Sequence, residues 1–113
     1  MAATNKLFTA PPHPVEKALK ELGGNLRMAR LRRKMTIRKV AERIGTGQRA
    51  VMEAEKGKPS TGIAVYMALL WVYGLLGPVA DLADPTKDKE GIARETAGGR
   101  IRARKSGALD SDF

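Results

Sequence analysis

The sequence predicts an all-α fold, and three observations carry that prediction. Apolar residues recur at three- and four-residue spacing, the pattern of helices that bury one face. The breaks between those stretches carry helix-end residues, with Thr36 ahead of one and Gly45 and Gly57 behind others. Residues 59–80 hold no charge at all, and the apolar part of that stretch has the length of a buried core helix.

With 113 residues and no cysteine, the chain has room for one compact domain with extensions and no disulfide framework. Three regions are expected: a flexible arm over 1–14, a folded domain over 15–84 and a mostly disordered tail over 85–113. In the arm, small and polar residues lead into Pro11, Pro12 and Pro14, which are expected to fix an irregular backbone. The single histidine, His13, is expected to be a solvated linker residue there. From Val15 an amphipathic pattern begins with Leu19, Leu22 and Leu26. Gly23-Gly24 is expected to interrupt it, separating a short leading helix from a first core helix over 25–34. That core helix would bury Leu26 and part of Ala29 and turn Arg27, Arg32 and Arg33 to water. For Arg32 and Arg33, solvent and a DNA contact both stay open.

Thr36 offers its hydroxyl as an N-cap to a helix whose stripe is Val40, Ala41 and Ile44. Gly45 supplies the backbone angle of a sharp turn. Thr46-Gly47 then opens a second helix, with Val51 and Ala54 inward and Gln48, Arg49, Met52 and Glu53 outward, and Gly57 ends it. Two helices of eight or nine residues around a tight turn, with converging apolar faces, form a helix-turn-helix unit. The next helix, about 63–74, is apolar nearly all round. Its charge-free stretch is cut by Gly62 and by Gly77-Pro78, leaving about 14 residues where a membrane span needs roughly 20. A small domain has too little core to bury every face of such a helix. Tyr66, Leu70, Trp71, Tyr73 and Leu75 are therefore expected to form a dimer or partner surface. Gly77-Pro78 starts a short helix that Asp84-Pro85 ends. The tail is poor in apolar residues and mixed in charge, so it is expected to lack the burial that folding requires. A short strand or turn is expected at Gly99-Arg100-Ile101-Arg102.

The net charge is +9, and residues 25–58 hold eleven Lys or Arg against three Glu. A positive field so concentrated attracts a polyanion. In a helix-turn-helix the second helix enters the major groove with its N-terminal residues at base edges. That assigns base reading to Gln48 (adenine), Arg49 (guanine or phosphate), Met52 (a thymine methyl) and Glu53 (cytosine, or exclusion of wrong sequences). Phosphate contacts are assigned to the helix-start amides near Ile37 and at Thr46 and Gly47, and to Arg38, Arg43, Lys56 and Lys58. No catalytic constellation is present. Ser60, Ser106 and Ser111 have no neighbouring histidine, Asp81, Asp84 and Asp88 match no metal loop, and no phosphate loop occurs. The expectation is a non-enzyme without cofactor or metal. The N-terminus has no unbroken apolar stretch before a small-residue cleavage site, so a cytoplasmic protein is expected, nucleoid-associated when bound to its operator.

Residues 22–76 resemble the Xre/Cro-type helix-turn-helix family in Leu26, Arg30, Thr36, Val40-Ala41, Ile44-Gly45, Val51 and Glu55-Lys56-Gly57. The resemblance covers about half the chain. It implies a five-helix, lambda-repressor-like domain in which Arg30 and Glu55 form a structural ion pair. Two residues depart from the family pattern. Ile37 stands where a phosphate-holding glutamine is usual, and Gly47 replaces a serine or threonine cap, so weaker binding per subunit and greater reliance on dimerisation are expected. The stretches 62–66, 69–76, 82–85 and 109–113 resemble a narrower group, the HipB-like antitoxins paired with HipA-type kinase toxins. That resemblance implies a homodimer that binds a palindromic operator in double-stranded DNA, represses its own operon and holds a HipA-like kinase inactive. A stand-alone Xre-type regulator without a toxin partner is the alternative.

Overall fold

The computed structural model describes residues 5–98, and every regular element among them is helical. In chain order these are α1 (Lys6–Thr9), α2 (His13–Arg32), α3 (Ile37–Ile44), α4 (Gln48–Glu55), α5 (Ile63–Val72) and α6 (Lys89–Gly98). Two 3-10 turns, Gly77–Asp81 and Pro85–Lys87, fall between α5 and α6. No strand occurs among the described residues, and no helix there is long and apolar enough to cross a membrane. The chain divides into two compact units, Met1–Gly77 and Pro78–Phe113. The proposed turn at 99–102 and the end of the tail lie outside the described residues.

In the first unit, the core is small and shared evenly. Leu26 and Ala29 come from α2, Val40 and Ala41 from α3, Val51 and Ala54 from α4, and Tyr66 and Leu69 from α5, with Tyr73 at its C-cap. Helix α4 packs against α2, α3 and α5, so one eight-residue helix is held from three sides. Isolated helices so short are not stable in water; α4 owes its conformation to this packing.

Four expectations are corrected. Gly23-Gly24 does not break a helix, for α2 runs unbroken from His13 to Arg32. Gly23 is instead a packing notch. A Cβ there would stand 2.6 Å from the Ala54 carbonyl oxygen, 2.7 Å from that of Glu55 and 2.8 Å from the Gly57 amide. Gly57 completes the approach, with φ +71 and a would-be Cβ 2.5 Å from the Leu19 carbonyl oxygen. A glycine inside a helix costs about 1 kcal/mol relative to alanine, and here the close seating of α2 on the end of α4 offsets it.

The prolines of the arm start structure where irregular backbone was expected. Pro12 is the N-cap of α2 and Pro14 lies in its first turn, where proline's missing amide and fixed φ are both acceptable. His13 therefore opens a helix, exposed, and residues 6–9 already form a helical turn whose N-cap Asn5 accepts from the Leu7 amide at 2.9 Å. Tyr66 and Tyr73 are not partner surface. They are 3% and 4% exposed because their rings complete the core, and the Tyr66 hydroxyl donates to the Lys58 carbonyl at 3.1 Å. Finally, the tail is helical over Lys89–Gly98. No residue of 78–98 is buried, and the bonds at this helix are local: the Asp88 carboxylate accepts from the Gly91 amide at 3.0 Å, and Arg94 pairs with Glu90 one turn back.

Two measurements test this packing. Gly23→Ala is expected to destabilise by more than about 2 kcal/mol in urea unfolding, since its methyl meets backbone rather than yielding side chains. Gly24→Ala, with nothing within 4 Å of its would-be Cβ, is expected to stabilise by about 0.5–1 kcal/mol. Burial raises the pKa of both tyrosines above the ordinary phenol value, the Glu55 carboxylate adding to the effect at Tyr73. The folded state thus keeps protons that the unfolded chain releases, and stability falls as pH rises above about 10 while staying constant on this account below it. Because the chain has only two tyrosines, phenolate absorbance is expected to grow in together with loss of helical circular dichroism. Phenolate appearing while the helices persist would place a tyrosine in water.

Candidate nucleic-acid interface

The candidate surface is assembled around α3, the turn Gly45-Thr46-Gly47, and α4. Helix α3 starts where the Thr36 hydroxyl accepts from the Lys39 amide at 3.0 Å. It stops at Gly45, whose φ of +80 lets the Gly45 and Thr46 amides both donate to the Ala41 carbonyl at 2.9 Å. The chain then reverses and enters α4 through Gly47, an extended N-cap with no side chain to offer its first amides. Those amides and the positive end of the helix dipole stay available to an anion.

The inner side of α4 is fixed by an ion pair. Arg30, near the end of α2, donates from Nε to Glu55 Oε2 at 2.7 Å and from a terminal nitrogen to Oε1 at 3.0 Å. Its remaining terminal nitrogen donates to the Met35 carbonyl at 3.0 Å. Both side chains are more than nine-tenths buried, and the hydrogen bond that Arg30 donates to Glu55 holds it more firmly protonated than usual despite burial. Removing one partner of such a pair costs about 3–5 kcal/mol, because the other charge is left buried and unmatched. One side chain thereby ties the end of α2, the turn before α3 and the last residue of α4.

The outer side of α4 carries the sequence candidates together. Gln48, Arg49 and Met52 are exposed on one face. Glu53 lies at its edge, drawn against Arg49 Nε at 3.2 Å and Lys58 Nζ at 3.8 Å. Its carboxylate thus has two cations beside it, which offsets the charge that would otherwise repel a phosphate. Thr46 is half-buried and Gly47 exposed in the turn, and Lys56 is exposed just past α4. Arg38 and Arg43 project from α3, Arg38 paired with Glu42 at 3.5 Å. Ile37 packs its side chain against the core, so only its amide faces the start of α3. Of the partner-surface candidates, Trp71 is 60% and Leu75 42% exposed, and Leu70 is half-buried.

Sequence reasoning missed or left open three residues. Arg33 donates to the Ala29 carbonyl and to the Tyr73 carbonyl, both at 2.9 Å, and lies 5.5 Å from the centre of the Tyr73 ring. It thus satisfies the exposed ends of α2 and α5 at once. Lys34 sits in the left-handed region with φ +55, the place past a helix end where glycine is usual. Lys39 shares a side of α3 with Arg43. The first needs tertiary geometry; the other two were legible in the lysines flanking Thr36.

Among the described residues no three His, Asp or Glu side chains gather as metal ligands would. Comparison with protein-family models, with curated proteins and with solved structures finds no match for this chain.

Proposed function

We propose that the chain is a sequence-specific double-stranded DNA-binding regulator in which α3, its turn and α4 act as a helix-turn-helix of the Xre/Cro, lambda-repressor-like kind. The observation that carries the reading is the two-sided character of α4. One side is held by Arg30–Glu55 and the core, and the other presents Gln48, Arg49 and Met52 from a helix start that no side chain caps. Residues 25–58, with eleven cations against three carboxylates, surround that face. Base-edge contacts from α4 supply specificity, and the amides of Ile37 and Gly47 with Arg38, Arg43, Lys56 and Lys58 supply backbone contacts.

A homodimer on a palindromic operator follows from the need to compensate Ile37 and Gly47. Of the residues expected at that contact, Trp71, Leu75 and the half-buried Leu70 are the ones outside the buried core. By resemblance of residues 62–76 and 82–85 to HipB-like antitoxins, the regulator represses its own operon and holds a HipA-like kinase inactive. It has no catalytic role of its own and works in the cytoplasm at the nucleoid.

Selection of duplexes from a random pool by the full chain tests the reading. The expected result is a recurring half-site arranged as an inverted repeat. Gln48→Ala/Arg49→Ala is expected to lose about 2–6 kcal/mol of preference for it while keeping weak, salt-sensitive binding. A pool that stays random with the unaltered protein contradicts it.

A further inference from the structure

A basic concavity of about 550 Å³ lies where α2 hands over to α3, lined by Arg33, Lys34, Met35, Thr36, Lys39 and Arg43. Four of these residues are cations and none is acidic. Among the described residues, no carboxylate lies within ion-pair distance of Lys34, Lys39 or Arg43, whereas Arg38, Arg49 and Lys58 each have one. Lys39 and Arg43 are one turn apart on α3 and share a side, rotated away from the side of the Arg38–Glu42 pair. Arg33 adds its charge from a fixed position, its guanidinium held by the Ala29 and Tyr73 carbonyls.

Lys34 makes the arrangement hard to read as an ordinary solvated surface. Its φ of +55 is a conformation in which any Cβ is strained and glycine is not. Gathering like charges around one opening adds a second cost. The turn itself ends α2, the Met35 amide donating back to the Arg30 carbonyl at 3.2 Å, but a lysine there in place of glycine gains no packing, because Lys34, Lys39 and Arg43 are all exposed. A bound polyanion offsets both. It would also meet the start of α3, where the Thr36 hydroxyl engages the Lys39 amide and leaves the earlier ones to other acceptors.

We propose that this concavity binds the phosphodiester backbone of the duplex alongside the groove that α4 reads, adding sequence-independent affinity through Lys34, Lys39 and Arg43. The proposal rests on the DNA-binding reading of α4 and enlarges its footprint by two lysines. A concavity lined by four cations and no acid suits a solvated phosphate ribbon rather than a protein segment.

The test uses the full chain and a duplex of arbitrary sequence about 30 base pairs long, followed by fluorescence anisotropy between about 50 and 200 mM salt. Lys34→Gly is expected to melt no lower than the unaltered protein and to flatten the plot of log affinity against log salt by about 1. Lys34→Gln/Lys39→Gln/Arg43→Gln is expected to flatten it by about 2–3 and to weaken binding at least about tenfold near 0.1 M salt. Lys6→Gln/Lys17→Gln/Lys20→Gln, which removes the same charge elsewhere, is expected to change the slope much less. Equal slopes for the two triple variants would overturn the concavity's role and leave the reading of α4 standing. No duplex binding by the unaltered protein would overturn both.

Discussion

The structure depends on the contact between the second half of α2 and the end of α4. Two glycines allow it and one ion pair directs it. Gly23 and Gly57 bring backbone against backbone at distances that any side chain would obstruct, and Arg30 then reaches Glu55 with two hydrogen bonds and the Met35 carbonyl with a third. A helix of eight residues has too few internal bonds to hold itself. Anchored from α2, α3 and α5, it can expose a polar face without fraying. The face proposed to read DNA is rigid because the face behind it is locked.

The division of the arginines follows from this arrangement. Residues 25–58 are rich in positive charge, yet the members of the set do different work. Arg30 is buried and structural. Arg33 closes the ends of two helices. Arg38 and Arg49 lie against carboxylates one turn away, where exposed pairs contribute little to stability and exchange readily for a phosphate partner. Lys34, Lys39 and Arg43 surround a concavity without an acid. A composition that reads as one basic patch is, in the folded chain, a structural bolt, a helix clamp and two distinct cationic surfaces.

Much of this was legible in the sequence because helix ends are written locally. Thr36, Gly45 and Gly57 act through their own dihedral angles and nearby amides, and the structure has each of them ending or starting a helix. Gly23 was misread for the complementary reason. Its local effect is to weaken a helix, and only the distant backbone of Ala54 and Glu55 reveals why it is tolerated. Pro12 and Pro14 were read as linker residues when their position relative to the helix start decides the matter. The apolar helix α5 gave too little periodicity to sort inward from outward residues. Tyr66 and Tyr73 went to the core while Trp71 stayed exposed. The helix Lys89–Gly98 is marked by its cap and a one-turn charge pair, local signals that the composition of the tail did not convey.

The most direct measurement is an amide chemical-shift titration of the isotope-labelled chain with a duplex. The account predicts the largest changes at Gly47, Gln48, Arg49 and Met52 and at the start of α3, with the Glu16–Lys20 face of α2 and the buried Arg30 side-chain signals nearly unmoved. Changes centred on α5, or spread evenly over every basic residue, would contradict the claim that α4 presents the reading surface.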